Sequence, residues 1–249
     1  MTSSTISKKE LLLSQQDQNN KDHPMTCAKA ILSMNRALIV EASPTLRAAL
    51  ISWNDEEIHL FFYYDGEISE EDNESAECAA TEVIAGYPEY ALEIDILRWD
   101  VPKPIPQTGE LVYHRREKSE ILLSIPQVKD FIDQPLRIRI ILSTIFALIN
   151  EVSPTLRRVE VSSDENHILV CFYYDGPISE EDANSVESTR SKVMRDFPSH
   201  KVETSLLQWD YPKWLPQVMG ENAPSSVYQR REEDPDKWKS QDGADETLG

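Results

Sequence analysis

One segment of eleven residues decides the fold, because the chain contains it twice. It reads Phe62-Tyr63-Tyr64-Asp65-Gly66-Glu67-Ile68-Ser69-Glu70-Glu71-Asp72, and 110 positions later it returns as Phe172-Tyr173-Tyr174-Asp175-Gly176-Pro177-Ile178-Ser179-Glu180-Glu181-Asp182. The aromatic run is typical of a strand, and Asp-Gly is typical of a turn. A serine followed by three acids is typical of a helix N-terminus with a capping box. Each copy therefore predicts a strand, a turn and a capped helix in succession.

The similarity extends beyond this segment on both sides. At the same shift, Ser43–Arg47 matches Ser153–Arg157 and Trp99-Asp100 matches Trp209-Asp210, with roughly 35 identities over about 76 ungapped positions. The closing motif Tyr113-x-Arg115-Arg116-Glu117 matches Tyr228-x-Arg230-Arg231-Glu232 at a shift of 115, so the second copy has five extra residues. One gene duplication explains this pattern better than a solenoid, which needs more and shorter repeats.

The repeat divides the chain into five parts. These are a disordered N-terminal segment (1–24), a first α+β repeat (25–117), a linker (118–134), a second α+β repeat (135–232) and a disordered acidic tail (233–249). Each copy has about 95 residues, which is enough for a small independent domain. The tail is expected to be disordered because it is polar and acidic.

Periodicity within one copy predicts the order α-β-β-α-β-β. The expected elements of the first copy are a helix over 27–41, strands over 45–52 and 57–64, a helix from Ser69 to about Tyr87, and strands over 90–99 and 111–116. The second strand is largely apolar on both faces, which predicts a central position in the sheet. We therefore expect an α+β fold, with an antiparallel sheet covered by helices in each copy.

The composition is strongly acidic. The 249 residues carry 25 Lys+Arg against 44 Asp+Glu, a formal net charge of −19. This charge repels phosphates, so we expect a basic protein as the partner and no direct binding of nucleic acid. No apolar run approaches the roughly 18 residues of a membrane span, and the N-terminus lacks the apolar core of a secretory signal. Three scattered cysteines are typical of a reducing compartment, so we expect a cytoplasmic protein without membrane contact.

Residues that could carry catalysis do not recur in both copies. The histidines do not coincide, since His59 aligns with Leu169, and no nucleophile and base are shared. Two copies of an enzyme would each need the same groups, which leaves one degenerate active site as the least favoured alternative. Asp65–Asp72 resembles the second half of a calcium loop, but Phe61 and Tyr63 occupy two ligand positions, so the oxygens are too few. We expect no enzymatic activity, no cofactor, and no catalytic or metal-binding residues.

The expected binding surface combines acids and tryptophans that both copies share. The acidic helix starts are solvated surfaces that also suit a basic partner, and the arginines of the closing motif are expected to pair with the acidic helix. Tryptophan often anchors protein interfaces, and an aromatic plug over the end of the sheet is the competing interpretation. The candidate protein-binding residues are Asp65, Glu70, Glu71, Asp72, Trp99, Asp100, Asp175, Glu180, Glu181, Asp182, Trp209 and Asp210.

Taken together, these motifs resemble a group of small acidic bacterial proteins, the immunity proteins of colicin-like and contact-dependent toxin systems. The resemblance covers Ile31–Glu117 and Ile141–Glu232. It implies a protein that binds and neutralises a cationic toxin domain, and it implies no catalytic residues. The duplication departs from the single-domain pattern. A second function therefore stays open, a tandem-domain scaffold or interaction module that mimics a dimer in one chain, and so does intramolecular pairing of the two repeats.

Overall fold

The computed structural model describes residues 25–118, 125–216 and 223–232. The first repeat contains α1 (Cys27–Ala37), β1 (Leu46–Trp53), β2 (Glu57–Tyr64), α2 (Glu70–Ala85), β3 (Ala91–Arg98) and β4 (Glu110–His114). The second repeat contains α3 (Leu136–Leu148), β5 (Leu156–Ser163), β6 (His167–Tyr174), α4 (Glu180–Asp196), β7 (Lys201–Gln208) and β8 (Ser225–Gln229). The predicted order of elements is confirmed in both repeats. The segments 1–24 and 233–249, which we expected to be disordered, lie outside the described residues.

Each repeat forms one four-stranded sheet, with the order β3-β2-β1-β4 in the first and β7-β6-β5-β8 in the second. The antiparallel β1–β2 hairpin and the central position of β2 are confirmed. The expectation of a fully antiparallel sheet is wrong, because β3 runs parallel to β2 and β7 runs parallel to β6. The reason is the connection: a helical crossover carries the chain back to the starting edge, so the next strand runs in the same direction. The α+β class is confirmed, with mixed sheets.

Both long helices begin where the sequence predicts. Ser69 accepts a hydrogen bond from the backbone N–H of Asp72, whose carboxylate accepts in return from the backbone N–H of Ser69. Ser179 and Asp182 form the same capping box at the start of α4. These reciprocal bonds satisfy two backbone donors that have no partner within the helix.

The first helix is shorter than the expected range 27–41. It ends at Ala37, and the chain then turns through a left-handed residue, Val40, whose φ is 68°. The second repeat turns at the equivalent Asn150, whose φ is 65°. A left-handed residue cannot continue a right-handed helix, so these turns set the length of α1 and the direction of entry into β1. Within the described ranges, no helix has the length and apolar character needed to cross a bilayer.

A proline-rich loop covers part of the sheet face opposite α1 and α2. Trp99 begins this loop and packs edge-on against Tyr63, with 6.0 Å between ring centroids. Gly109 ends it at a close approach to β1, where an added Cβ would stand 2.5 Å from the carbonyl oxygen of Ile51. Only glycine fits this contact without displacing the strand. The loop is thereby held down at both ends.

The linker between the repeats is partly packed. Within the predicted range 118–134, Val128–Phe131 forms a short 3-10 helix whose Val128 and Phe131 side chains are buried. The ring of Phe131 lies 6.0 Å from that of Phe146 in α3. This part of the linker therefore belongs to the core of the second repeat.

The two repeats contact each other through an interface with pseudo-two-fold symmetry. Arg115 forms a β-bridge with Val152, and the equivalent Arg230 forms one with Ala42. At the centre, the rings of Tyr113 and Tyr228 stack with centroids 6.1 Å apart and planes 8° apart. Buried apolar side chains surround this stack, namely Leu38, Val112, Ile145, Leu148 and Val227. The two β-bridges are exchanged equivalents and the central stack pairs equivalent tyrosines, as in an isologous dimer interface. The symmetry is not complete, because Asn35, which donates to the carbonyl oxygen of Val227, has Ile145 as its equivalent.

Ion pairs follow the same symmetry. Arg116 lies 3.1 Å from a carboxylate oxygen of Asp182, and Arg231 lies 3.0 Å from one of Asp72. The second arginine of each closing motif therefore does pair with an acidic helix, but with the helix of the other repeat, whereas the first arginine pairs with Asp65 or Asp175 of its own repeat. The chain forms, within itself, the intramolecular pairing that the sequence left open.

Candidate protein-binding surfaces

A buried arginine organises the Trp-Asp corner of each repeat, a name we give to residues 99–104 and 209–214. In the first repeat, Arg47 is 1% exposed and pairs with both carboxylate oxygens of Glu117, at 2.8 and 2.7 Å. Its guanidinium also donates to the carbonyl oxygens of Trp99 and Lys103. The planar group thus uses its fixed donor geometry to join β1, the closing motif and the corner. Arg157 makes the equivalent contacts in the second repeat, with Glu232, Trp209 and Lys213.

Two aspartates tie each corner to the turn after the central strand. Asp100 accepts a hydrogen bond from the backbone N–H of Gly66 at 2.7 Å, and Asp65 accepts one from the backbone N–H of Val101 at 3.2 Å. Arg115 donates to the second oxygen of Asp65 at 2.6 Å and holds the pKa of that carboxyl below its ordinary value. The equivalent backbone contacts in the second repeat are made by Asp210 and Asp175. These four predicted residues are half-buried, so they shape the corner and still face solvent.

The two predicted tryptophans are half-buried at the end of each sheet. The indole N–H of Trp99 donates to the carbonyl oxygen of Pro104 at 2.8 Å, and that of Trp209 donates to the carbonyl oxygen of Trp214 at 2.9 Å. Each indole therefore closes its own corner loop. This is the geometry of a plug, and a role of either ring in binding a partner stays a prediction.

The predicted acids of the helix starts divide into two groups. Glu70, Glu71, Glu180 and Glu181 are exposed. Asp72 and Asp182 are each 2% exposed and form the inter-repeat ion pairs. Burial by itself would raise the pKa of Asp72, but hydrogen bonds from Ser43 and Ser69 and the charge of Arg231 lower it. The structure therefore uses the two aspartates internally, and only the glutamates face solvent.

Charge is distributed unequally between the repeats. Residues 25–117 contain 7 Lys and Arg against 18 Asp and Glu, a net charge of −11, whereas residues 135–232 contain 11 against 14, a net charge of −3. The difference is greatest on the long helices. α2 has no basic residue and exposes five glutamates on one side, Glu70, Glu71, Glu74, Glu77 and Glu82. α4 carries three basic residues, Arg190, Lys192 and Arg195.

The two partly buried cysteines, Cys27 and Cys171, are not activated nucleophiles. Burial raises the pKa of Cys27 to about 11 and also raises the pKa of Cys171, so both thiols are held in their unreactive form. No group of His, Cys, Asp and Glu within the described residues has the geometry of a metal site. The surfaces offer charge, half-buried indole rings and fixed turns, which are means of binding a protein.

Sequence reasoning missed three features. The first is the ion pair between Arg47, at the end of the segment Ser43–Arg47, and Glu117 of the closing motif. The presence of both residues again in the second copy, as Arg157 and Glu232, is the signal that could have indicated this pair. The second is the stack of Tyr113 on Tyr228, which nothing in the sequence indicates, because a tyrosine at this position could equally be buried inside its own domain. Trp214 stands where the first repeat has Pro104, and the structure leaves it 80% exposed.

The fold and these surfaces define a class: a protein of two paired α+β domains, with an acidic outer helix and two corners that buried arginines hold in place. Comparison with known families makes the assignment specific. The family model described as MafI2 immunity protein matches residues 28–117 and 137–232, one match for each repeat. The chain therefore belongs to the MafI2 immunity protein family, and the resemblance to immunity proteins is confirmed. The search of curated proteins found no match to the chain.

Proposed function

We propose that this chain is a non-enzymatic inhibitor that binds and neutralises a basic toxin or effector domain. The observation that carries the proposal is family membership in both repeats, because both copies keep the domain of an immunity protein. The net charge of −19 supports a basic partner, since complementary charge speeds association and orients the encounter.

The outer face of α2 is the part of the surface best suited to attract such a partner. Its five glutamates occupy one side of a helix without basic residues, and one of them, Glu82, pairs with Arg36 of α1 at 2.9 Å. Glu180 and Glu181 provide a smaller acidic surface on α4, where Arg116 lies 3.8 Å from Glu181. The Trp-Asp corners supply rigid turns for contact after the encounter.

Co-expression tests this proposal. The full chain is produced in a bacterium together with a candidate basic toxin domain from the same genome, and growth is followed. We expect growth to be restored and the two proteins to co-elute in size-exclusion chromatography. Triple reversal of Glu70, Glu71 and Glu74 to lysine should weaken protection more than reversal of Glu180 and Glu181. A chain that neither restores growth nor co-elutes with any such toxin domain contradicts the proposal.

A second candidate function is a scaffold that mimics a dimer and presents one surface twice. The pseudo-two-fold interface favours it, since the chain displays two corners with the same backbone arrangement. This function predicts that one chain binds two identical partner molecules, whereas the unequal charge of the repeats predicts one. Light scattering of the purified complex measures the stoichiometry and separates the two functions.

A further inference from the structure

The two Trp-Asp corners share a backbone arrangement. They differ in which side chains of the chain itself contact the aspartate carboxylate and the aromatic rings. In the first corner, the Arg98 guanidinium lies 3.0 Å from both carboxylate oxygens of Asp100. The ammonium of Lys103 stands 5.5 Å above the ring of Trp99. The chain's own cations therefore already occupy both the carboxylate and an aromatic face in this corner.

The second corner has no arginine at the position of Arg98, although it keeps Lys213 at the position of Lys103 and Arg157 lies 5.8 Å from the centre of the Tyr211 ring. Gln208 replaces Arg98, and its neutral amide donates to Oδ1 of Asp210 at 2.9 Å. The backbone N–H of Gly176 donates to the same oxygen at 3.0 Å. No hydrogen bond reaches Oδ2 of Asp210 from the residues that the structure describes. The hydrogen bonds from Gln208 and Gly176 and the charge of Lys213 lower the pKa of Asp210, and Lys213 makes no hydrogen bond to this carboxylate among those residues.

Trp214 adds a large exposed ring to the second corner. The side chain is 80% exposed, and within the described ranges the ring makes no aromatic or cation–π contact. Its backbone is nevertheless held in place, because the Trp214 carbonyl accepts from the indole N–H of Trp209 and the Arg157 guanidinium holds the preceding carbonyl of Lys213 at 3.1 Å. An aromatic group on a fixed backbone binds with little loss of conformational entropy.

We propose that the second corner is a binding site for an arginine side chain of the basic partner, with Trp214 as the stacking surface and Asp210 as the carboxylate acceptor. Arginine suits this pair of groups because its guanidinium stacks on aromatic rings and donates to carboxylates at the same time. The first corner satisfies the same two kinds of acceptor with Arg98 and Lys103 of the chain itself. The inference rests on the proposed function for the nature of the partner.

The inference also assigns different tasks to the two repeats. The strongly acidic α2 lies in the first repeat and attracts a basic protein over distance, whereas the open corner lies in the second repeat and retains it by contact. Long-range charge mainly raises association rates, and buried or stacked anchors mainly slow dissociation. A single basic partner that spans both repeats would use both.

Titration of the full chain with a short oligo-arginine peptide tests the site directly. Labelling the five tryptophans with 15N at the indole nitrogen gives one NMR signal for each ring. We expect the Trp214 signal to shift on titration, while those of Trp99 and Trp209 stay in place because their N–H groups are bonded inside the corners. An oligo-glutamine peptide of the same length is the control and should move no signal.

Variants turn each corner into the other. Trp214→Ala should weaken peptide binding about two- to fivefold, the range for an exposed cation–π contact, and Trp214→Phe should restore most of it. Gln208→Arg supplies the internal cation of the first corner and should also weaken binding severalfold. Arg98→Gln is the matched control, and it should leave the Trp214 shift unchanged. All three side chains, Trp214, Gln208 and Arg98, are exposed, so the variants should fold.

The peptide titration can refute the arginine site without refuting the proposed inhibitor function. If the peptide binds but neither the Trp214 signal nor the Trp214→Ala affinity changes, arginine is bound elsewhere and the corner site is refuted. If the peptide does not bind at all, the corner site is refuted as well. In both cases the co-expression assay judges the inhibitor function separately, because it does not depend on this residue alone.

Discussion

Replacing Arg47 by methionine tests the part of the structure that holds the corner in place. The substitution keeps the volume of the aliphatic stem but leaves Glu117 as a buried carboxylate and removes donors from two carbonyl groups. Breaking a buried ion pair from one side costs about 3–5 kcal/mol. Arg115 still donates to Glu117 at 3.0 Å, so we expect the lower end of that range, about 3 kcal/mol.

Urea unfolding followed by circular dichroism measures this loss of stability. For a chain of this size, about 3 kcal/mol corresponds to a fall in Tm of roughly 6–12 °C. Arg157→Met should cost less, because Glu232 is 19% exposed whereas Glu117 is 4% exposed. Arg98→Gln, an exposed control, should have no measurable effect. A loss below about 1 kcal/mol for Arg47→Met would refute the view that this arginine organises the corner.

Four further substitutions have defined expectations. Ser69→Ala and Ser179→Ala should each cost about 0.5–2 kcal/mol in urea unfolding, and no loss at either site would place the helix starts elsewhere. Val40→Asn introduces the residue that the second repeat has at Asn150, and it should raise the free energy of unfolding by up to about 1 kcal/mol, because asparagine tolerates the left-handed conformation better than a β-branched residue does. A lower free energy of unfolding would contradict backbone strain at Val40. Burial lowers the pKa of His114, so the folded protein disfavours the protonated ring and loses stability as pH falls below about 6.5. His114→Gln, the equivalent of Gln229, should reduce this dependence of the urea midpoint between about pH 7 and pH 5, and an unchanged slope would assign it to other groups.

Much of the single-repeat fold could be predicted from local patterns. The capping serines, the hairpin and the central β2 follow from residue type and alternation, and the duplication supported each assignment twice. The direction of β3 could not be predicted in this way, because alternation of side chains is the same in parallel and antiparallel strands. The helical connection from α2 decides it.

The candidate site was less predictable, because its residues depend on the pairing of the repeats. The capping box already distinguishes Asp72 from Glu70 in the sequence, but it does not predict that Asp72 is buried against Arg231 while Glu70 stays exposed. The ion pair with Arg231 depends on the position of the second repeat. The same holds for Trp214, whose exposure depends on the path of the corner loop. The residues of the acidic surface and the corners stay predictions as a binding site.

The association rate between the full chain and a basic toxin domain, measured by stopped flow at increasing salt, tests the central claim most directly. The Debye length falls from above about 10 Å at 0.05 M salt to below about 5 Å at 0.5 M. We predict that the rate constant falls steeply over this range, and that reversal of Glu70, Glu71 and Glu74 lowers it more than reversal of Glu180 and Glu181. A rate constant that responds neither to salt nor to either set of reversals would contradict recognition of a basic partner by the acidic surface.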